Sequence, residues 1–185
     1  MHWDFTSISK ELKLDQCKFY VGDFIFYRNG QKIDEHSDYR LIQMGQKESL
    51  SWNAKDNLGF DAFSFHLGVD SLIHEKSVMT GDLDPVNDMY WTWQSGYIHA
   101  KVEGSHQGKP IQLHLGGYQF PFRSDQHIWV RCNKIQRDYY FPSLFQTDFI
   151  SKLKSSEKNG EWRVMSPQPD AVVWMQWFAE KMAHP

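Results

Sequence analysis

Two histidines interrupt otherwise apolar strand patterns at equivalent places. Ala62-Phe63-Ser64-Phe65-His66-Leu67 alternates, with Phe63, Phe65 and Leu67 on one face and Ser64 and His66 on the other. Ile111-Gln112-Leu113-His114-Leu115 repeats the design, and Gly follows both at Gly68 and Gly116. Imidazole is a ligand for both copper(I) and copper(II), but an ion needs two or three converging donors. If the two strands are neighbours, His66 and His114 project from one sheet face and could share one ion. The competing reading is two hydrogen-bonded structural histidines. His127-Ile128-Trp129 puts another histidine beside a tryptophan on one strand face, as a minor alternative.

The second chemical segment runs from Gly81 to Tyr97, an acidic, proline-broken loop that leads into aromatic residues. Asp82, Asp84, Asn87 and Asp88 could offer oxygen to a hard cation such as calcium. Their spacing departs from the EF-hand loop, and Asp and Asn in loops more often make local turns to the backbone. Beyond them, Trp91 and Trp93 would share a face if Tyr90–Tyr97 is a strand, where tryptophans ordinarily pack in a core. Met89 could supply a thioether to copper(I), although methionine more often fills gaps. Paired carboxylates for hydrolysis, Asp82 or Asp84 with Glu103, have no constrained separation. No nucleophile elbow, P-loop or dinucleotide fingerprint occurs, so a binding protein is expected rather than an enzyme.

The elements that must hold these residues are mostly strands. Lys18–Tyr27 is rich in aromatic and branched residues, and Asn29-Gly30 is a hairpin turn signal. Tyr97–Glu103 alternates as well. Only Asp170–Ala183 reads as a helix, with Val173, Trp174, Trp177, Phe178 and Met182 near helical spacing and Asp170 as a candidate cap. Ser151–Gly160 reads as a solvated connection. One mainly β domain over 1–185 follows: an antiparallel β-sandwich or open barrel with long loops and a C-terminal α-helix.

Composition agrees with that outline. The chain has 185 residues, 29 of them aromatic (Trp 8, Tyr 8, Phe 13), which excludes intrinsic disorder. A net charge of −3 argues against a nucleic-acid partner. Stretches such as Val69–Ile73 and Ala171–Met175 are far too short to cross a bilayer, so no transmembrane segment is expected. Met1-His2-Trp3-Asp4 lacks the basic start and apolar block of a secretory signal. Cys17 and Cys132 have no metal-type spacing; two free thiols are favoured over a disulfide, which sequence leaves open.

Several segments together resemble the MbnP-like family, which includes methanobactin-associated MbnP and copper-repressible surface proteins. They are Phe65-His66-Leu67-Gly68-Val69-Asp70-Ser71, Gly81-Asp82-Leu83-Asp84-Pro85, Met89-Tyr90-Trp91-Thr92-Trp93-Gln94-Ser95-Gly96-Tyr97, Lys101-Val102-Glu103-Gly104 and Leu113-His114-Leu115-Gly116-Gly117. Weaker similarity extends to Cys17–Val21 and Val164–Pro167. The resemblance implies a β-rich protein of the periplasm or cell surface, its native signal lying outside this chain, with a lipid anchor in some precursors. It also implies one copper ion held by histidines, here His66 and His114. In some members a tryptophan oxidised to kynurenine by a haem peroxidase partner joins them. Trp3, Trp52, Trp91, Trp93 and Trp129 are the tryptophans open to that role, and the sequence singles out none. A non-catalytic carbohydrate- or protein-binding β-sandwich is the alternative function, for which Trp91, Trp93 and Trp129 should form a flat exposed row.

Overall fold

The computed structural model describes residues 1–5, 9–46, 59–76, 79–92, 94–141 and 143–183. In chain order the strands are β1 (His2–Trp3), β2 (Leu12–Arg28), β3 (Gln31–Gln43) and β4 (Phe60–Leu67). After helix α1 (Ser71–Glu75) come β5 (Ile98–His106), β6 (Lys109–Gly116), β7 (Gln126–Gln136) and β8 (Tyr140–Phe141). Helix α2 (Thr147–Ser156), strand β9 (Trp162–Val164) and helix α3 (Pro169–Ala183) complete it.

The long β2 organises the main sheet, whose order is β7-β4-β2-β5-β6-β9 with β3 also paired to β2. All of these pairs are antiparallel except β6 with β9. The β2–β3 hairpin closes at Arg28 opposite Gln31, and Asn29 and Gly30 both adopt positive φ, as the turn signal predicts. The sheet does not close into a barrel. A separate parallel pair, β1 with β8, packs against it: Trp3 stacks on Phe141 and meets Phe19 and Phe65 edge-on. The result is mainly β, consistent with a sandwich, with a C-terminal helix.

Strand alternation divides the hydrophobic mass in two. One sheet face carries Cys17, Phe19, Val21, Phe63, Phe65, Val102, Leu113 and Val130, and α2 and α3 cover it. The other face carries Tyr20 and is covered by Leu83, Met89 and Tyr97 of the acidic and aromatic loop together with Val69.

Three expectations need correction. Trp91 is not on a strand; only an isolated Tyr90–Tyr97 bridge forms, and Gly96 donates to Thr92 to close a turn between them. The segment read as a solvated connection is helical from Thr147 to Ser156, because Phe149 and Leu153, one turn apart, bury a narrow stripe. Its many Lys and Ser side chains hide that stripe. In α3 the buried face is Ala171, Trp174, Met175, Phe178 and Met182; Val173 faces solvent. Asp170 lies in the first turn and pairs with Lys158 at 2.5 Å.

Cys17 and Cys132 are free thiols. No helix among the described residues is long and apolar enough to cross a membrane.

Candidate metal centre

His66 and His114 do share a sheet face. His66 lies opposite Gly22 on β2, while Lys18, on the same face of β2, aligns with Lys101 and then His114. They cannot share an ion, because β2 and β5 separate β4 from β6. Three strand spacings put about 14 Å between the strands alone. His114 instead sits 2.7 Å from Glu103, whose carboxylate is also 3.8 Å from Lys101. Lys101 pairs with Asp88 as well, and Lys18 donates to the Asn87 carbonyl at 2.9 Å. This ionic row fastens the acidic loop to the sheet.

Among the described residues, Asp82, Asp84 and Asp88 do not converge as a metal-ligand group, and the loop donors make local contacts. Asp82 accepts from the Leu41 amide at 2.9 Å, and Asp84 caps the short 3-10 turn at Val86. The Asn87 side chain donates to the carbonyls of Gly81 and Asp82. Asp88, held to Lys101, has its carboxyl pulled below the usual range by that ammonium. These are turn and clamp contacts.

A different cluster forms where β4 ends. The chain leaves Leu67 through Gly68, at φ +97°, into Val69 and Asp70. A Cβ at Gly68 would lie 2.8 Å from the ring of His99, so only glycine allows this turn so close to β5. Asp70 then caps α1 through Leu72, and its own amide donates to the Tyr39 hydroxyl. From the other side, the loop after β6 brings Arg123, Ser124 and Asp125 to the start of β7. Ligand atoms of His66, Asp70 and Asp125 all fall within 4.8 Å of one another. The Nδ1 of His66 is buried without a hydrogen-bond partner.

Neighbours complete the centre. His127 is directly opposite His66 across β4 and β7, with ring centroids 5.0 Å apart. Burial, reinforced by the His66 ring, lowers its pKa and favours the neutral imidazole. Arg123 grips Asp125 through Nε and Nη2 at 2.8 and 2.9 Å, and reaches Asp70 at 3.1 Å. Fully buried His99, its pKa pushed down to about 4 by desolvation, is hydrogen-bonded with Ser124 at 3.2 Å.

A mixed imidazole and carboxylate set accepts a divalent ion such as copper(II) or zinc(II). The orphaned His66 nitrogen, facing no protein acceptor or donor, fits such an ion. Of the residues singled out in the sequence, His66 belongs here and His127 joins it; His114, Asp82, Asp84, Asn87 and Asp88 do not. Met89 is wholly buried in the second hydrophobic layer. Trp91 is half-buried and packs beside Gly116 on β6, four strands from β7. Trp52 and Trp93 lie outside the described residues. Trp129 is half-exposed, stacked on Tyr27 at 4.8 Å, so Trp91 and Trp129 do not form one flat row.

Sequence reasoning missed Asp70, Arg123 and Asp125. Asp70 was within reach, since Leu67-Gly68-Val69-Asp70 follows His66 directly. Arg123-Ser124-Asp125 gives no such signal; only folding the loop back between β6 and β7 makes it part of the centre.

A family model described as MbnP matches residues 3–162. Among solved structures, MbnP from Methylosinus trichosporium aligns with a TM-score of 0.51 at 13% identity, covering 92% of this chain and 85% of that one. That likeness is one of fold. No curated protein matches significantly. With 160 of its 185 residues inside the family model, the chain belongs to the MbnP family.

Proposed function

We propose that this protein binds one divalent metal ion, copper(II) foremost, through His66, Asp70 and Asp125, with His127 as the adjoining imidazole. The observation that carries the reading is the convergence of ligand atoms of His66, Asp70 and Asp125 within 4.8 Å of one another, at a histidine whose Nδ1 is buried without a hydrogen-bond partner. An unsatisfied buried nitrogen costs about 1–3 kcal/mol, which an ion bound at it would relieve. These residues would hold the ion, and the chain supplies the donors and orients them. Gly68 sets the approach of Asp70, and the β4–β7 register fixes His66 against His127.

Family membership supports copper as the ion and a place in the periplasm or at the cell surface. The reading further includes a haem peroxidase partner that would oxidise a tryptophan ligand. Among the described tryptophans, Trp129 has its ring centroid 6.4 Å from that of His127, which makes it the candidate for that modification. The decisive experiment is titration of purified protein with copper(II) against a chromophoric competitor. One equivalent should bind to the wild type and to His114→Ala, and binding should be lost in His66→Ala/Asp125→Ala. Undiminished binding by that double variant would overturn the assignment.

A further inference from the structure

We propose that Arg123 is a built-in competitor for the metal: its guanidinium is hydrogen-bonded to the Asp70 and Asp125 carboxylates and must yield them when an ion binds. The inference rests on the metal-binding reading above. Its geometric basis is the way Arg123 is spent. Three of its N–H···O contacts, at 2.8, 2.9 and 3.1 Å, go to Asp125 and Asp70, and both oxygens of Asp125 are taken. The Asp125 side chain is 4% exposed and that of Asp70 18%, so the anionic charge is largely withdrawn from water. Buried carboxylates of that kind need a cation. Arg123 provides one from outside, since half of its own side chain is in solvent.

That partial exposure gives it somewhere to go. The backbone at this point is fixed independently: the Ser124 amide donates to the Gly117 carbonyl, and the Ser124 side chain holds His99. The guanidinium can therefore swing to solvent by side-chain rotation while Asp125 stays in place. A guanidinium cannot be deprotonated near neutral pH, so it can leave only as a cation. An incoming divalent ion therefore replaces one positive charge with two, taking the two carboxylates from half to full neutralisation, and the centre is never left as an unpaired dianion.

The exchange imposes the same cost on every metal, so it does not alter the ratio between two ions. It moves all affinities down together. Hard ions such as Mg²⁺ or Ca²⁺ gain carboxylates that Arg123 already satisfied and little from an imidazole, and drop below useful affinity. An ion that prizes nitrogen ligands gains His66 in addition and remains bound. Arg123 is thus a threshold on affinity, set by a side chain outside the donor set.

The test compares wild type, Arg123→Met and Arg123→Lys for binding of copper(II), zinc(II) and calcium, and for thermal stability without metal. Arg123→Met should bind copper(II) and zinc(II) about ten- to a hundredfold tighter, from the loss of a charge-assisted competitor. It should also acquire measurable calcium binding, and its metal-free form should melt at a lower temperature. Arg123→Lys, which keeps a cation but not the two-pronged grip, should fall between, and serves alone if the Met variant does not fold. Unchanged or weaker metal binding in both variants, with the wild type still binding, overturns this inference and assigns Arg123 to orienting the ligands. Absence of binding in the wild type and both variants removes the metal reading itself.

Discussion

Lys18 lies directly opposite Lys101 on adjacent strands β2 and β5, and both residues are buried. Two like charges are stable there only because the acidic loop comes to them: Asn87 offers its carbonyl to Lys18, and Asp88 its carboxylate to Lys101. Desolvation, aided by the Lys101 charge, lowers the Lys18 pKa. Of the loop residues that looked like calcium ligands, Asp88 is therefore a counter-ion of the sheet and Asn87 a carbonyl acceptor for it.

This arrangement makes the two halves of one ion pair unequal. Lys101→Met removes a buried charge and strands only Asp88, whose side chain is 71% exposed, and Glu103, which keeps His114. It should cost at most about 1 kcal/mol. Asp88→Ala leaves the buried ammonium with Glu103 at 3.8 Å, and should cost more, about 2–3 kcal/mol. Urea unfolding of the two variants checks the order; equal losses would mean that the pair acts as an ordinary surface bridge.

The fully buried His99 gives the fold an acid sensitivity with a definite sign. Its pKa is pushed down to about 4 in the folded chain, against 6.5 when unfolded, because burial opposes the charged ring. The unfolded chain therefore binds the proton more readily, and this contribution is intact above pH 6.5 and lost progressively from there to about pH 4. At pH 5 the loss is about 2 kcal/mol. Denaturant midpoints at pH 7 and pH 5 should differ by that amount, and the difference should shrink in His99→Gln.

Gly68 is the turn on which the centre depends. Gly68→Ala would face both the positive φ and a contact of 2.8 Å with His99, so a loss of about 2–3 kcal/mol is expected. Asp70 follows two residues later, so copper(II) affinity should fall with stability. Glycine elsewhere offers a control: Gly30→Asn, at the open hairpin turn where nothing lies within 4 Å of a Cβ, should change stability little and leave metal binding as it was. Equal effects of the two substitutions would show that the turn after β4 is not special.

How much of this was legible in the sequence depends on the range of each interaction. Strand identity was, because alternation is local: β4, β5 and β6 appear where Phe63, Ala100 and Leu113 alternate with polar neighbours. The face shared by His66 and His114 was legible too. Strand order was not, since it rests on β2 running 17 residues and pairing with β3, β4 and β5 at once. That insertion of β2 between the histidine strands dissolves the expected pair and replaces it with His66 and His127. Arg123 and Asp125 reach the centre through a loop closure invisible to any periodicity, while Asp70 needed only the recognition that Gly68 turns the chain back.

The two thiols provide a test of the packing that needs no metal. Cys17 belongs to the main core, 2% exposed, and burial raises its pKa far above the ordinary thiol range, so no thiolate forms near neutral pH. Cys132, near the surface on β7, is raised less completely, since Gln136 donates to its sulfur at 3.0 Å and favours the thiolate. A thiol reagent of the disulfide-exchange type, applied to the native protein at pH 8, should therefore label Cys132 slowly and Cys17 only after denaturant is added. Mass spectrometry of each cysteine-containing peptide reads the order directly. Labelling of Cys17 at the rate of Cys132 under native conditions would mean that the layer formed by β2 and α3 opens far more readily than its buried Phe19, Phe178 and Met182 imply.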